Sequence, residues 1–149
     1  MIFSIPNLID SIAGQLATVY PDMPVYDSPT FDTNYPCFYV FLTFPSISDE
    51  IDGVEKKSIG IDVVYVQQRN ITAANVPINE VLESFDLLFD TVNYSDGSET
   101  AVLHTYERNP SIEDQELHYK FTIKQRVSRE AVITYMQEME QNNVEVKEG

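Results

Sequence analysis

The chain is 149 residues long and carries 24 acidic against 9 basic residues, a net charge of −15. That charge repels nucleic acid and anionic membranes at long range, so direct binding to either is not expected. A single cysteine excludes an internal disulfide or a cysteine-built metal site, and no run approaches the roughly 18 apolar residues of a membrane span, so the sequence predicts one soluble, non-secreted domain over residues 1–149, folded in a reducing compartment.

Leu8, Ile9, Ile12, Ala13, Leu16 and Val19 or Tyr20 recur at helical spacing, with Ser4 placed to cap and Pro6 in the first turn, and predict an amphipathic helix over about 5–20. Pro21, Pro24 and Pro29 then break the chain, leaving Val25-Tyr26 as a short edge strand. Residues 37–44 are apolar on both parities, as in a strand covered on both faces, and 58–66 read as the return strand of a hairpin through Ile59, Ile61, Val63 and Tyr65. The intervening residues, about 45–57, are polar and long for a hairpin connection. They predict a projecting loop, with a disordered tip equally compatible.

Pro77 opens a second helix whose stripe is Ile78, Val81, Leu82, Phe85, Leu88 and Phe89. Asp96-Gly97 makes a turn, after which 100–108 and 117–127 alternate as a second strand pair across a polar connection. In the last strand Leu117, Tyr119, Phe121, Ile123 and Val127 face one way, and His118, Lys120, Thr122, Lys124 and Arg126 face the other. Val132, Ile133, Met136 and Met139 give a weak C-terminal helix that ends in a polar tail from about 140 to 149. The order α-β-β-α-β-β predicts an α+β fold, an antiparallel sheet of four or five strands with two helices packed on one face.

The residues supply no recognisable chemistry. A thiol nucleophile needs a base and an electropositive setting. Cys37 stands instead among Tyr35, Phe38 and Tyr39 in the acidic third of the chain, with His104 and His118 as the available bases. It reads as a small buried residue. Asp49, Glu50, Asp52 and Glu55 lack the alternation and closing Glu of a calcium loop. Glycine-rich phosphate loops and the common hydrolase motifs are missing. No enzyme activity, metal or cofactor is therefore expected. The charge is also unevenly placed: eight acids and no Lys or Arg fall in residues 1–55, whereas five of the nine basic residues lie in 108–129. Such polarity within one small domain is more often a solubility feature than a binding code, yet it also suits head-to-tail contact between copies.

The N-terminal helix, PDMPVYDSP, the YPCFYVFL strand, a polar loop and SIGIDVVYV resemble the first half of the bacteriophage tail terminator (tail completion) proteins. INEVLESFDLLFD, a strand pair ending in ELHYKFTIKQRV, and YMQEMEQNNVEVK resemble the second half; the most telling pieces are Tyr35-Pro36-Cys37-Phe38 and Leu117-His118-Tyr119. Lys56 and Lys57 followed by Ser58 match the family's basic residues only in part. The resemblance implies a structural virion protein, made in the bacterial host cytoplasm, that caps the head-proximal end of a tail tube as a ring, commonly of six copies. The partners it implies are other copies of the chain, the tail tube protein, the sheath and the head-side connector. Another neck or head-completion protein is the nearer alternative, and an acidic DNA mimic that inhibits a nuclease or repressor the more distant one. For a ring, the positive row His118, Lys120, Lys124 and Arg126, extended by Arg129, is expected to meet acids of an adjacent copy or of the tube. Asp49, Glu50, Asp52 and Glu55 are the leading candidates.

Overall fold

The computed structural model describes residues 3–28, 33–50, 53–71 and 75–128. The order is α1 (Ile5–Val19), β1 (Val25–Tyr26), β2 (Cys37–Asp49), β3 (Val54–Val66), α2 (Ile78–Leu88), β4 (Thr91–Ser95), β5 (Thr100–Glu113) and β6 (Glu116–Ser128). The strands form one strongly curled sheet in the order β1-β2-β3-β6-β5-β4. The fold is α+β with two helices, as expected, but with six strands rather than four or five. The sheet is mixed, because Val25 and Tyr26 pair in parallel with Phe38 and Tyr39. The expected C-terminal helix and the tail at 140–149 lie outside the described residues.

Each helix begins where its sequence permits. The Ser4 side chain accepts the Asn7 amide at 3.3 Å and Pro6 sits in the first turn, where an amide would lack an intrahelical acceptor anyway. Pro77 precedes α2, with Glu80 in the first turn favourably placed toward the helix dipole. Leu8, Ile12 and Leu16 of α1 and Val81 and Phe85 of α2 face one side of the sheet and meet Phe38, Ile61, Val63, Tyr65, Tyr119 and Phe121. Phe85 is central: its ring lies 5.6 Å from Phe38, 5.3 Å from Phe89 and 5.8 Å from Tyr119, the last two edge-on. Each such aromatic contributes roughly 1.5–3 kcal/mol by leaving water, so this cluster fixes how α2 lies on the sheet.

The strand ladders extend further than the hydrophobic pattern. Most of the segment read as a loop at 45–57 is paired: β2 and β3 stay in register from Phe44↔Gly60 to Asp49↔Glu55, and the Glu50 amide donates to the Val54 carbonyl at 2.7 Å. β6 runs beside β3 along the same stretch, to Val54↔Ser128. Along this stretch β3 is bonded on both sides, to β2 and to β6, so Lys56 and Ser58 need no apolar alternation to be strand residues, and they hold Ser46 and Ser48 opposite them.

The second strand pair is also longer than expected. β5 continues past Arg108 to a two-residue turn at Asp114 and Gln115, both at positive φ. Pro110 fits inside it: counting from the hydrogen-bonded Glu113–Glu116 pair that flanks such a turn, its nitrogen points away from β6.

β4 has no counterpart in the predicted elements. Val92 and Tyr94 point into the core, and the strand turns into β5 through Asp96 and Gly97, where the Asp96 carboxylate accepts the Ser98 and Glu99 amides and Gly97 takes φ +96°. Its outer edge is closed by a helix rather than by a strand. The Gln15 amide donates to the Leu88 and Thr91 carbonyls at 2.5 and 2.8 Å and accepts the Asn93 amide at 2.9 Å, while Ser11 Oγ accepts the Ser95 amide at 3.0 Å.

Candidate functional site

Because α1 and α2 cover one face of the sheet, the opposite face carries the charge. Register defines its cross-strand rows. Cys37, Val66 and Glu116 share one row, and Tyr39, Val64 and His118 the next. Then come Phe41, Asp62 and Lys120; Phe44, Gly60, Thr122 and Tyr106; Ser46, Ser58 and Lys124; and Ser48, Lys56 and Arg126. The bulge between Leu42 and Phe44 brings the Thr43 hydroxyl and the Phe44 ring together over Gly60, where a Cβ would collide with both. Glycine is required there by close approach.

The cysteine row answers the question of thiol chemistry. Cys37 is fully buried, and burial, reinforced by the Glu116 charge, pushes its thiol up to about 11. That is the opposite of what a nucleophile needs. His118 is held between two carboxylates, with Nδ1 2.9 Å from Asp62 Oδ2 and Nε2 3.4 Å from Glu116 Oε2. Asp62 is itself nearly buried, and its Oδ1 has no hydrogen-bond partner. Among the described residues, no three or more His, Cys, Asp or Glu side chains are grouped to hold a metal. One open cleft of about 480 Å³, lined by Tyr20, Met23, Tyr35 and their neighbours, carries a single carboxylate, Asp22, and no His, Cys or Lys. This set is unsuited to acid–base or nucleophilic catalysis.

The structure brings His118, Lys120, Lys124 and Arg126 onto one side of β6, all on the sheet face opposite the helices. Their partners differ from those expected. Arg126 Nε lies 3.0 Å from Glu50 Oε2 of the same chain, so a pair expected between copies is made within one. The cause is register: Arg126, Lys56 and Ser48 share a row two residues from Glu50 and Val54, which returns Glu50 to its own β6. Lys124 lies 3.9 Å from Glu107 Oε1 and 4.9 Å from the centre of the Tyr106 ring. Lys120 has no ion-pair partner among the described residues. Asp49 and Glu55 are cross-strand partners near the hairpin tip, on the face opposite Glu50. Asp52 and Arg129 lie outside the described residues.

Sequence reasoning missed Asp62, Glu107 and Glu116 as the local acids, and Phe44 and Tyr106 as exposed rings on this face, 45% and 43% accessible. Phe44 was legible only as one more residue of an apolar run, because the bulge that re-aims it leaves no mark in the pattern.

Residues 7–142 match the family model described as phage tail terminator protein. No curated protein matches the chain significantly.

Proposed function

The chain belongs to the phage tail terminator family, whose members are structural proteins of the virion tail and not enzymes, and from that premise we propose that it caps the head-proximal end of the tail tube as a closed ring of identical copies. Six copies are the number the family resemblance implies. In this reading one rim of the ring contacts the tube protein, and the sheath where one is present, while the other meets the head-side connector.

The observation that carries the ring is the unlikeness of the molecule's surfaces. The sheet face opposite the helices bears Lys56, Lys120, Lys124 and Arg126, whereas α1 and α2 contain acids and no Lys or Arg. Unlike patches on one subunit make heterologous contacts, which close into rings when the rotation allows.

The test is electron microscopy of tails assembled with the wild-type chain and with a variant in which Lys120, Lys124 and Arg126 are all reversed to Glu. Capped tails of defined length are expected with the wild type, and uncapped or irregular tails with the triple variant. Normal capping by the folded variant removes this face from the interface. Normal tails in the complete absence of the chain overturn the capping role itself.

A further inference from the structure

The outward face of α2 makes one ion pair among the described residues, at Asp90 just past the helix end. Glu80, Glu83, Leu87 and Asp90 lie along one line of the helix end, spaced three or four residues apart and opposite the buried Val81, Phe85 and Phe89. Leu87 is 82% accessible, the most exposed large apolar side chain among the described residues. Glu80 and Glu83 repel one another at i, i+3, and α2 contains no Lys or Arg to offset them. Among the described residues neither makes an ion pair; Asp90 alone is paired, with Arg108 at 3.4 Å.

The other half of the complement lies across the molecule. Phe44 and Tyr106 stand at the ends of one row on the sheet face opposite the helices, with Lys120 and Lys124 on the rows either side. Both rings are partly exposed, and Lys120 has no described ion-pair partner. This surface carries a ring at each end of the row and a lysine on either side, Lys124 shared with Glu107 of its own chain, whereas the α2 surface is apolar at Leu87 and acidic around it.

We propose that the α2 surface of one copy docks on the Phe44–Tyr106 row of the next. Leu87 seats between the two rings, and Glu80 and Glu83 meet Lys120 and Lys124. This deepens the ring reading and rests on it, since it names the two surfaces that each contact joins. Apolar anchors surrounded by complementary charge supply affinity at the centre and orientation at the rim. The contact is heterologous, because each copy offers a donor surface and a different acceptor surface.

The experiment uses two double variants of the full chain, K120E/K124E on the sheet and E80K/E83K on the helix, each checked for a native circular dichroism spectrum. Alone, either variant places like charges across every contact. Mixed in equal amounts, the acid sheet of one faces the basic helix of the other, and the wild-type basic sheet faces the wild-type acidic helix. Sedimentation at low salt is expected to show at least about tenfold weaker self-association for each variant alone and recovery to near wild type in the mixture. A mixture that sediments like the single variants overturns the proposal. If the wild type and both variants associate equally, the ring is built from other surfaces. If the wild type stays monomeric even with tail tubes, the ring reading fails as well.

Discussion

At the residue scale the clearest consequence concerns Cys37. Its thiol is raised from about 9 to about 11, first by burial and then by the charge of Glu116. For a group whose folded value is raised, the stabilising contribution is complete below the unfolded value and disappears as pH climbs through the folded one. Cys37 should therefore give the protein an alkaline loss of stability between about pH 9 and 11, on the order of 2 kcal/mol in all. Tyr119 acts in the same direction at higher pH, because burial and its 2.7 Å hydrogen bond to Asp86 both favour the neutral phenol. Urea midpoints measured across this range should fall less steeply for Cys37→Ala than for the wild type, at a cost near neutrality of about 1 kcal/mol for the small cavity. Cys37→Ser should be no better than Ala, because a buried hydroxyl without a partner costs roughly 1–3 kcal/mol. An unchanged alkaline slope in Cys37→Ala, or rapid modification of the folded thiol at neutral pH, would contradict the assignment. Capping should be unaffected by either substitution.

At the scale of elements, the contact between α1 and β4 shows how a polar side chain can take the place of a strand. Gln15 satisfies the Leu88 and Thr91 carbonyls and the Asn93 amide at once, in a nearly buried position. Gln15→Leu keeps most of the volume and leaves those groups unpaired, so it should lower stability by about 1–3 kcal/mol and speed hydrogen exchange at the Asn93 amide. A Leu variant as stable as the wild type would mean that water reaches this edge and the Gln15 contacts are incidental. β4 was nonetheless partly legible. Val92 and Tyr94 alternate immediately before the Asp96-Gly97 turn, a hairpin signature obscured by the helix pattern that ends two residues earlier. Both helices, the core strands and the inward row Leu117, Tyr119, Phe121 and Ile123 could be read directly, because burial imposes a period on the sequence. The polar ladder at 45–57 could not, because it is held by the backbone bonds of β3 to β2 on one side and β6 on the other, which no side-chain pattern records. The basic row of β6 was visible from alternation. Its partners were not, because Glu50 and Arg126 are 76 positions apart in the chain and meet only through register.

At the scale of the whole molecule, two members of that basic row should behave differently, and the difference separates folding from assembly. Arg126 and Lys124 already have carboxylates of their own chain nearby, Glu50 at 3.0 Å and Glu107 at 3.9 Å, so each reversal changes an intramolecular contact as well as any external one. Lys120 stands on the same face without a described ion-pair partner, and the Asp62 opposite it points its carboxylate at His118. Lys120→Glu should therefore leave the unfolding free energy from urea titration within about 0.5 kcal/mol of wild type while reducing the fraction of capped tails. Arg126→Glu should lose a few tenths to about 1 kcal/mol of stability, the range for an exposed pair, and Glu50→Gln should reproduce that loss by removing the other partner. High salt should weaken assembly by the wild type more than by Lys120→Glu, because in the wild type it screens an attraction and in the variant a repulsion. If Lys120→Glu caps normally while Arg126→Glu does not, the external contact lies toward the hairpin tip, around Glu50 and Lys56, and the Phe44–Tyr106 row is not its centre.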